Sequence, residues 1–225
     1  NIVLRNVTIK DIYAGHALDL AGVKDILVDN CRFIGYRDRA DGSRNYAEAI
    51  QIDIASSDGF PAFGLSDGTY TRDVTVRNCY FGPSGTSNTT SWPVGIGSHS
   101  AIHDIWPTDI NITVNTFEEC TYRAIRLFKL NNVYMEGNTF KRCKGILNVS
   151  TPSAGGGYTK DINGVESGVS QSGDTVVFVS NIIDGFDESG TCIGIKGVND
   201  KSVKNIKING NIFKGIDSIA ETCIY

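Results

Sequence analysis

One pattern of apolar and polar positions recurs along the chain and predicts its strands. A polar residue is followed by an apolar, a variable and an apolar position, then by four residues and a final Ile or aromatic residue. The copies that align without a gap are NIVLRNVTI (1–9), DILVDNCRF (25–33), DVTVRNCYF (73–81), DINITVNTF (109–117), NVYMEGNTF (132–140), TVVFVSNII (175–183) and NIKINGNIF (205–213).

A second short segment follows each copy, and apolar and polar residues alternate in it. Alternation with a period of two indicates half-buried β-strands. These segments are HALDLA, EAIQID, PVGIGS, RAIRLF, KGILNV, TCIGIK and TCIY. The copies of the first pattern recur at intervals as short as 23 and 24 residues, which suits one coil of a solenoid. The sequence therefore predicts an all-β fold, a parallel β-helix of about seven coils, with negligible α-helix.

Stacked coils place equivalent residues of successive repeats above one another, about 4.8 Å apart. The last position of the pattern holds Phe33, Phe81, Phe117 and Phe140, which we expect to stack inside the solenoid. Two residues earlier lies a column of small and amide side chains: Cys31, Cys79, Asn115, Asn138, Asn181 and Asn211. Amide groups in such a column can hydrogen-bond along the axis and satisfy the backbone of a tight turn.

The cysteines fall into pairs of equivalent positions: Cys31 with Cys79, Cys120 with Cys143, and Cys192 with Cys223. Six cysteines in a secreted chain normally suggest three disulfides. Small buried thiols in ladder positions are the alternative, which we favour because parallel side-chain vectors do not suit a disulfide. We therefore predict that each pair is adjacent and reduced.

Composition and charge exclude several classes of function. The 225 residues are 40% hydrophobic and 20% charged, as in ordinary globular proteins, and the net charge of −4 does not support a nucleic-acid partner. No apolar stretch is long enough to cross a membrane, and the strand-like pattern at the first residues leads us to expect no signal peptide there. We expect no nucleic acid, membrane or cofactor as a partner.

The coil repeat resembles the pectin-lyase-like superfamily of right-handed parallel β-helix proteins over essentially the whole chain. The superfamily includes polysaccharide lyases, glycoside hydrolases, epimerases, phage tailspike depolymerases and non-catalytic adhesins, so it is specific for fold and weak for function. The resemblance implies one β-helix domain over residues 1–225, and the uncapped first coil suggests a segment of a longer protein. It also implies a possible homotrimer, by analogy with phage tail proteins of the superfamily.

The segments GHALDLAG, NCRFIGY, EAIQID and GIGSH look most like phage tail or cell-wall-associated proteins of Gram-positive bacteria. That resemblance implies an extracellular or virion location and a polysaccharide or teichoic-acid-like glycopolymer as partner. The paired Asp-Asp and Gly-His-Gly of polygalacturonases, the arginine motif of pectate lyases and the DPH motif of mannuronan epimerases are absent. No named pectin or alginate activity is therefore assigned.

Long insertions on either side of the second strands predict a walled groove, which is the usual form of a binding site. Alternation places Asp19, Gln51, Asp53 and Arg126 on the outer face of these strands. The corner before the strands holds four more candidates: His16, Glu48, Trp92 and Arg123.

The carboxylates are the candidates for chemistry. Asp19 and Asp53 are one coil apart and displaced by two residues, or roughly 8 Å, within the separation that an inverting glycosidase needs. We assign Asp19, Glu48 and Asp53 as catalytic acid and base candidates. His16, Gln51, Trp92, Arg123 and Arg126 are candidates for substrate binding. The alternative is a set of solvated charges on a sheet face, with Asp19 and Arg126 as a structural pair.

The segment GSHSAIHD adds His99 as a residue at the rim of the groove. His99, His103 and Asp104 do not predict a metal site, because two histidines four residues apart share a face only on a helix and this segment reads as a loop. Exposed insertion aromatics such as Tyr36, Tyr46, Phe60 and Phe63 can stack on sugars or pin the insertions to the coil.

Three functions remain open. The first is a carbohydrate-active segment that binds and cleaves a polysaccharide as a hydrolase or lyase, which the clustered carboxylates favour. The second is a non-catalytic receptor-binding or adhesin segment. The third is a structural spacer, which the long polar insertions disfavour.

Overall fold

In a computed structural model, the described residues are 1–55, 67–98, 102–154, 160–163, 165–169, 171–186, 191–198 and 201–215. Within these ranges the chain contains twenty strands and no helix, and the strands form three parallel sheets. The chain visits the sheets in turn, so the architecture is the predicted right-handed parallel β-helix.

Each sheet takes one strand from each coil. Sheet A contains β1 (Ile2–Arg5), β4 (Lys24–Asp29), β7 (Arg72–Arg77), β10 (Thr108–Thr113), β13 (Asn131–Glu136), β16 (Gly173–Val179) and β19 (Val203–Asn209). Sheet B contains β2 (Thr8–Tyr13), β5 (Arg32–Arg37), β8 (Tyr80–Gly82), β11 (Thr116–Glu118), β14 (Thr139–Cys143), β17 (Ile182–Phe186) and β20 (Ile212–Lys214). Sheet C contains β3 (Leu18–Ala21), β6 (Glu48–Asp53), β9 (Val94–Gly97), β12 (Arg123–Phe128), β15 (Leu147–Ser150) and β18 (Ile193–Lys196).

The recurring pattern holds two strands, which differs from the sequence expectation of one strand per copy. In the copy at 25–33, β4 ends at Asp29, and β5 begins at Arg32 in the next sheet. Between them Asn30 adopts a left-handed backbone with φ 52°, a conformation that Asn tolerates better than most residues. The equivalent turns also contain a left-handed residue: Asn6, Asn78, Val114, Gly137, Ser180 and Gly210.

The core is a stack of equivalent side chains, as predicted. Phe33, Phe81, Phe117 and Phe140 are all buried and pair in register in sheet B. Successive rings lie 5.0, 4.7 and 5.1 Å apart between centroids and are nearly parallel. Offset stacking of this kind adds to the burial of the rings and fixes the register of the coils.

The amide column forms the predicted ladder. Asn115 donates from its backbone N and its Nδ2 to Oδ1 of Asn138, and Asn138 donates in the same way to Asn181. Asn181 repeats the arrangement with Asn211. The ladder therefore satisfies buried backbone groups at every turn that it passes.

The cysteine columns are also adjacent where they are described. The backbone N of Cys31 lies 3.4 Å from Sγ of Cys79, and both residues are buried thiols. Cys120 and Cys143 are likewise buried neighbours, and contact with Cys143 together with burial raises the pKa of the Cys120 thiol. Cys223 lies outside the described residues, so its predicted pairing with Cys192 stays a prediction.

Candidate functional site

The register of sheet C brings three of the predicted residues onto one face. Asp19 pairs with Gln51, and Ala21 pairs with Asp53, so Asp53 lies one coil and two residues from Asp19. Ile50 and Ile52 belong to the core. The residues that alternate with them, Gln51 and Asp53, therefore face outward.

Glu48 joins this face because the chain turns a corner at the start of β6. Ala49 and Ile50 are consecutive residues, yet both pack in the core, so the alternation shifts by one position there. A Cβ built on Gly97, which pairs with Gln51, lies 3.0 Å from Cγ of Glu48. The Glu48 side chain therefore extends over the outer surface of β9.

Two basic groups flank the Glu48 carboxylate. Oε1 of Glu48 lies 3.8 Å from Nη1 of Arg126, and Oε2 lies 3.5 Å from Nδ1 of His16. Nε2 of His16 lies 3.1 Å from Nη2 of Arg44, and Nδ1 lies 3.0 Å from the Glu48 carbonyl oxygen. Because a guanidinium only donates, these distances assign the Nδ1–H tautomer to His16, with Nε2 accepting.

Most of this polar cluster is shielded from water. Glu48, Gln51 and Asp53 have exposed fractions of 0%, 5% and 2%, and Nε2 of Gln51 donates to Oδ2 of Asp53. Burial raises the pKa of Glu48 to about 7, although the Arg126 charge opposes the shift. Asp19 is exposed at the edge of the cluster. Partial desolvation by the surrounding protein and, secondarily, the Asp53 charge raise the pKa of Asp19 to about 6. Solvent screens part of that effect.

Two candidates lie elsewhere, and a third is not among the described residues. Trp92 is fully buried in the core, with its ring centroid 5.1 Å from that of Tyr36, so its expected place at an outer corner is wrong. The guanidinium of Arg123 contacts Tyr122 instead: its Cζ lies 5.2 Å from the Tyr122 ring and its Nη1 donates to the Tyr122 carbonyl. His99, with Phe60 and Phe63, lies outside the described residues.

Arg44 is the residue that sequence reasoning missed. It comes from the insertion before β6, donates through Nε to the Ala14 carbonyl, and contacts His16. Its own carbonyl accepts from the hydroxyl of Tyr36, which is buried rather than exposed. The only signal in the sequence was its position four residues before Glu48. The coil repeat does not predict where the side chains of loop residues lie.

The described residues hold no group of three or more histidine, cysteine, aspartate or glutamate side chains that could bind a metal. His103 and Asp104 contact each other at 2.9 Å. Likewise, no described helix has the length and apolar character to cross a membrane.

Chemically, the cluster is a nearly closed ionic network. Arg44, His16, Glu48 and Arg126 form a continuous chain of contacts that ties the loop before β6 to sheet C. Acid and base catalysis by a carboxyl pair requires Glu48 or Asp53 to reach the substrate beside the exposed Asp19, and both are covered. The catalytic and substrate-binding roles of the predicted residues therefore remain predictions.

Comparison with known proteins finds bacterial surface adhesins, which favour the adhesin alternative over the carbohydrate-active one. No protein-family model matches the chain. A curated relative, the plasmin and fibronectin-binding protein A of Streptococcus pneumoniae strain ATCC BAA-255 / R6, is 37% identical over 150 residues. The match covers 64% of this chain and 21% of the relative, so the chain spans about a fifth of that protein's length.

Two solved structures share the fold. The crystal structure of PfbA, a surface adhesin of Streptococcus pneumoniae, matches with a TM-score of 0.78 and 25% identity over 100% of this chain and 51% of that chain. A second structure of this surface protein and adhesin matches with a TM-score of 0.64 and 22% identity over 98% and 66% of the two chains. The second likeness shows the fold alone.

These relatives correct two expectations. The name of the curated relative gives plasmin and fibronectin as its partners. Both are proteins, so the expected polysaccharide or teichoic-acid-like partner is wrong. The relatives are bacterial surface proteins, and they lend no support to a phage tail, a virion or polysaccharide degradation.

Proposed function

We propose that this chain is a segment of a bacterial cell-surface adhesin and that it binds a host protein without chemical change. The observation that carries the proposal is the likeness to PfbA along the whole of the chain, together with 37% identity over 150 residues to a plasmin and fibronectin-binding protein. Extracellular display on the bacterium, and membership of the pectin-lyase-like superfamily, are parts of the same proposal.

The architecture supports a binding role. Seven stacked strands at about 4.8 Å make each of sheets A and B roughly 30 Å long. The outward side chains of such a face are fixed by register, and a rigid face loses little conformational entropy when a partner binds. A protein–protein interface needs about 800 Å² from each partner, which adjoining sheet faces and loops of this size can supply.

The burial of the carboxylates also favours binding over catalysis. Glu48 and Asp53 are covered, and Glu48 lies between Arg126 and His16. In this closed form the cluster holds a loop in place and presents no carboxyl pair to a long substrate. Asp19 alone among the three candidates is exposed.

Binding of the purified chain to immobilised plasmin and, separately, fibronectin tests the proposal. We expect saturable binding to at least one of the two at about micromolar concentration or below, equivalent to roughly 8 kcal/mol of binding free energy. A second parallel β-helix protein of similar length and net charge serves as the control. Equal signals from the chain and this control, or no saturable binding to either host protein, contradict the proposal.

A further inference from the structure

Two arginine–tyrosine pairs lie at the two ends of β5, on the outer face of sheet B. Tyr13 on β2 pairs in register with Arg37 on β5, and Arg32 on β5 pairs with Tyr80 on β8. The Arg37 guanidinium carbon lies 4.9 Å from the Tyr13 ring centroid, and that of Arg32 lies 4.6 Å from the Tyr80 ring. We call these four residues, with Lys10, the arginine–tyrosine face.

The face is accessible to a partner. Tyr13 has an exposed fraction of 57%, and Arg32, Arg37 and Lys10 are exposed as well. Each guanidinium stacks on a ring, an arrangement that leaves the edge of the guanidinium directed away from that ring. Stacking also restricts the arginine rotamers before binding, which lowers the entropy cost of forming new hydrogen bonds.

The local charge is positive although the whole chain carries −4. Lys10, Arg32 and Arg37 supply three positive charges to the face. Asp11 is one nearby carboxylate: its Oδ2 lies 3.7 Å from Nζ of Lys10, and it accepts hydrogen bonds from Ser84 and Thr86. Those hydrogen bonds, the one from Ser84 first, lower the pKa of Asp11, so Asp11 offsets only one of the three charges at neutral pH.

A second carboxylate, Glu118, lies at the edge of the face beside Glu119, and two cations balance this pair. Glu118 accepts a hydrogen bond from the Tyr80 hydroxyl at 2.8 Å. Arg142 forms ion pairs with both Glu118 and Glu119, and Lys141 pairs with Glu118 in register. The Glu118 charge therefore stabilises its own neighbours and does not cancel the charge of Arg32 or Arg37.

We propose that the arginine–tyrosine face binds an extended acidic segment of the host protein partner. The inference rests on the proposed function and names the surface and the partner chemistry for it. Arg32 and Arg37 are five residues apart along β5, at most about 16 Å, so two carboxylates several residues apart on one extended segment can reach both. Half-buried Ile34 lies between them and offers an apolar contact.

A protein segment fits this face better than a sulfated polymer does. Arginine and tyrosine are enriched in protein interfaces and dominate their binding energy, whereas lysine is depleted. The face combines two aromatic rings and an aliphatic side chain with planar cations. A polymer that is recognised through its charge alone would gain no binding energy from the aromatic rings or from Ile34.

Fluorescence anisotropy with a labelled glutamate-rich peptide tests the inference. The variant Arg32→Gln/Arg37→Gln should weaken peptide binding by about tenfold or more. The control Lys204→Gln/Lys207→Gln removes two exposed positive charges from β19 of sheet A, and its affinity should stay within about twofold of wild type. The variant Arg32→Lys/Arg37→Lys keeps the charge and loses the planar stacking, and it should fall between the two.

Three results overturn the inference. They are equal peptide affinities for the two glutamine variants, no peptide binding by the wild-type chain, and stronger binding of heparin than of the peptide at this same face. The last result identifies an anionic polymer as the occupant.

Binding of the same variants to plasmin and to fibronectin distinguishes a failure of this inference from a failure of the proposed function. If the Arg32→Gln/Arg37→Gln variant still binds a host protein as wild type does, the adhesin function stands. The binding surface is then not the arginine–tyrosine face. Peptide binding at the face without binding to either host protein supports the face and contradicts the function.

Discussion

Asn115 and Asn138 hydrogen-bond to each other twice across adjacent coils. The Oδ1 atom of Asn138 accepts from the backbone N of Asn115 at 3.0 Å and from its Nδ2 at 3.1 Å, while Nδ2 of Asn138 donates to the Ile112 carbonyl at 2.8 Å. One buried side chain thus satisfies three groups of the preceding coil, and its Nδ2 also donates to Oδ1 of Asn181 in the next coil.

The substitution Asn138→Ala should destabilise the protein by about 2–3 kcal/mol, because it leaves buried donors and an acceptor without partners. Urea unfolding measures the change in the free energy of unfolding. The exposed Asn111 on the outer face of sheet A provides the control, and Asn111→Ala should change stability by less than about 0.5 kcal/mol. Equal effects of the two substitutions contradict the ladder's role.

Val114 occupies the left-handed turn position that holds Asn78 in the preceding coil and Gly137 in the next. Its φ of 56° is unfavourable for a β-branched residue, and its side chain is 60% exposed. Val114→Asn should therefore stabilise the protein by about 1 kcal/mol, read as a higher thermal midpoint. An unchanged or lower thermal midpoint contradicts the claim that the backbone of Val114 is strained.

Glu48 makes stability depend on pH in a defined window. Its folded-state pKa of about 7 lies above the ordinary value of 4.5, so between these values the folded protein holds a proton that the unfolded chain has released. Stability should fall as pH rises from 4.5 to 7. Glu48→Gln should flatten this part of the profile in denaturant titrations, and an identical slope in both proteins contradicts the shifted pKa.

Lys129 should have the opposite effect at higher pH. Its amino group is buried, donates to the Ile102 carbonyl and lies 4.9 Å from the Trp106 ring centroid. Burial lowers its pKa from 10.5 to about 7, with Asp104 opposing the shift. Because only the unfolded chain then binds the proton, this group makes stability rise from pH 7 to 10.5.

The substitution Lys129→Met removes the group that titrates and keeps an unbranched apolar side chain. The difference in the free energy of unfolding between variant and wild type should shift in favour of wild type as pH rises. A difference that stays constant across the window shows that Lys129 keeps its ordinary pKa.

Much of the fold was predictable because the repeat aligns without gaps. Phe33 and Phe81 occupy the same column by counting alone, as do Asn115 and Asn138, and both pairs are adjacent in the structure. The two strands within each copy of the first pattern were not separated, because the turn at Asn30 interrupts neither the apolar pattern nor the spacing. A left-handed residue changes the direction of the chain without leaving a gap in the sequence.

The site was predictable only where register controls it. Asp19, Gln51 and Asp53 share a face because β3 and β6 pair in register. Trp92 was misplaced because it precedes β9 at the end of an insertion, where alternation no longer indicates direction. The contact between Arg44 and His16 joins two loops, and a coil repeat carries no information about it.

The central claim is that this β-helix segment binds a host protein through a defined outer surface. Surface plasmon resonance of the wild-type chain over immobilised fibronectin and plasmin, beside Arg32→Gln/Arg37→Gln and Lys204→Gln/Lys207→Gln, tests it most directly. The account predicts saturable wild-type binding to at least one host protein, about tenfold weaker binding of the arginine variant and near-unchanged binding of the lysine variant. Absence of saturable wild-type binding to both host proteins would contradict it.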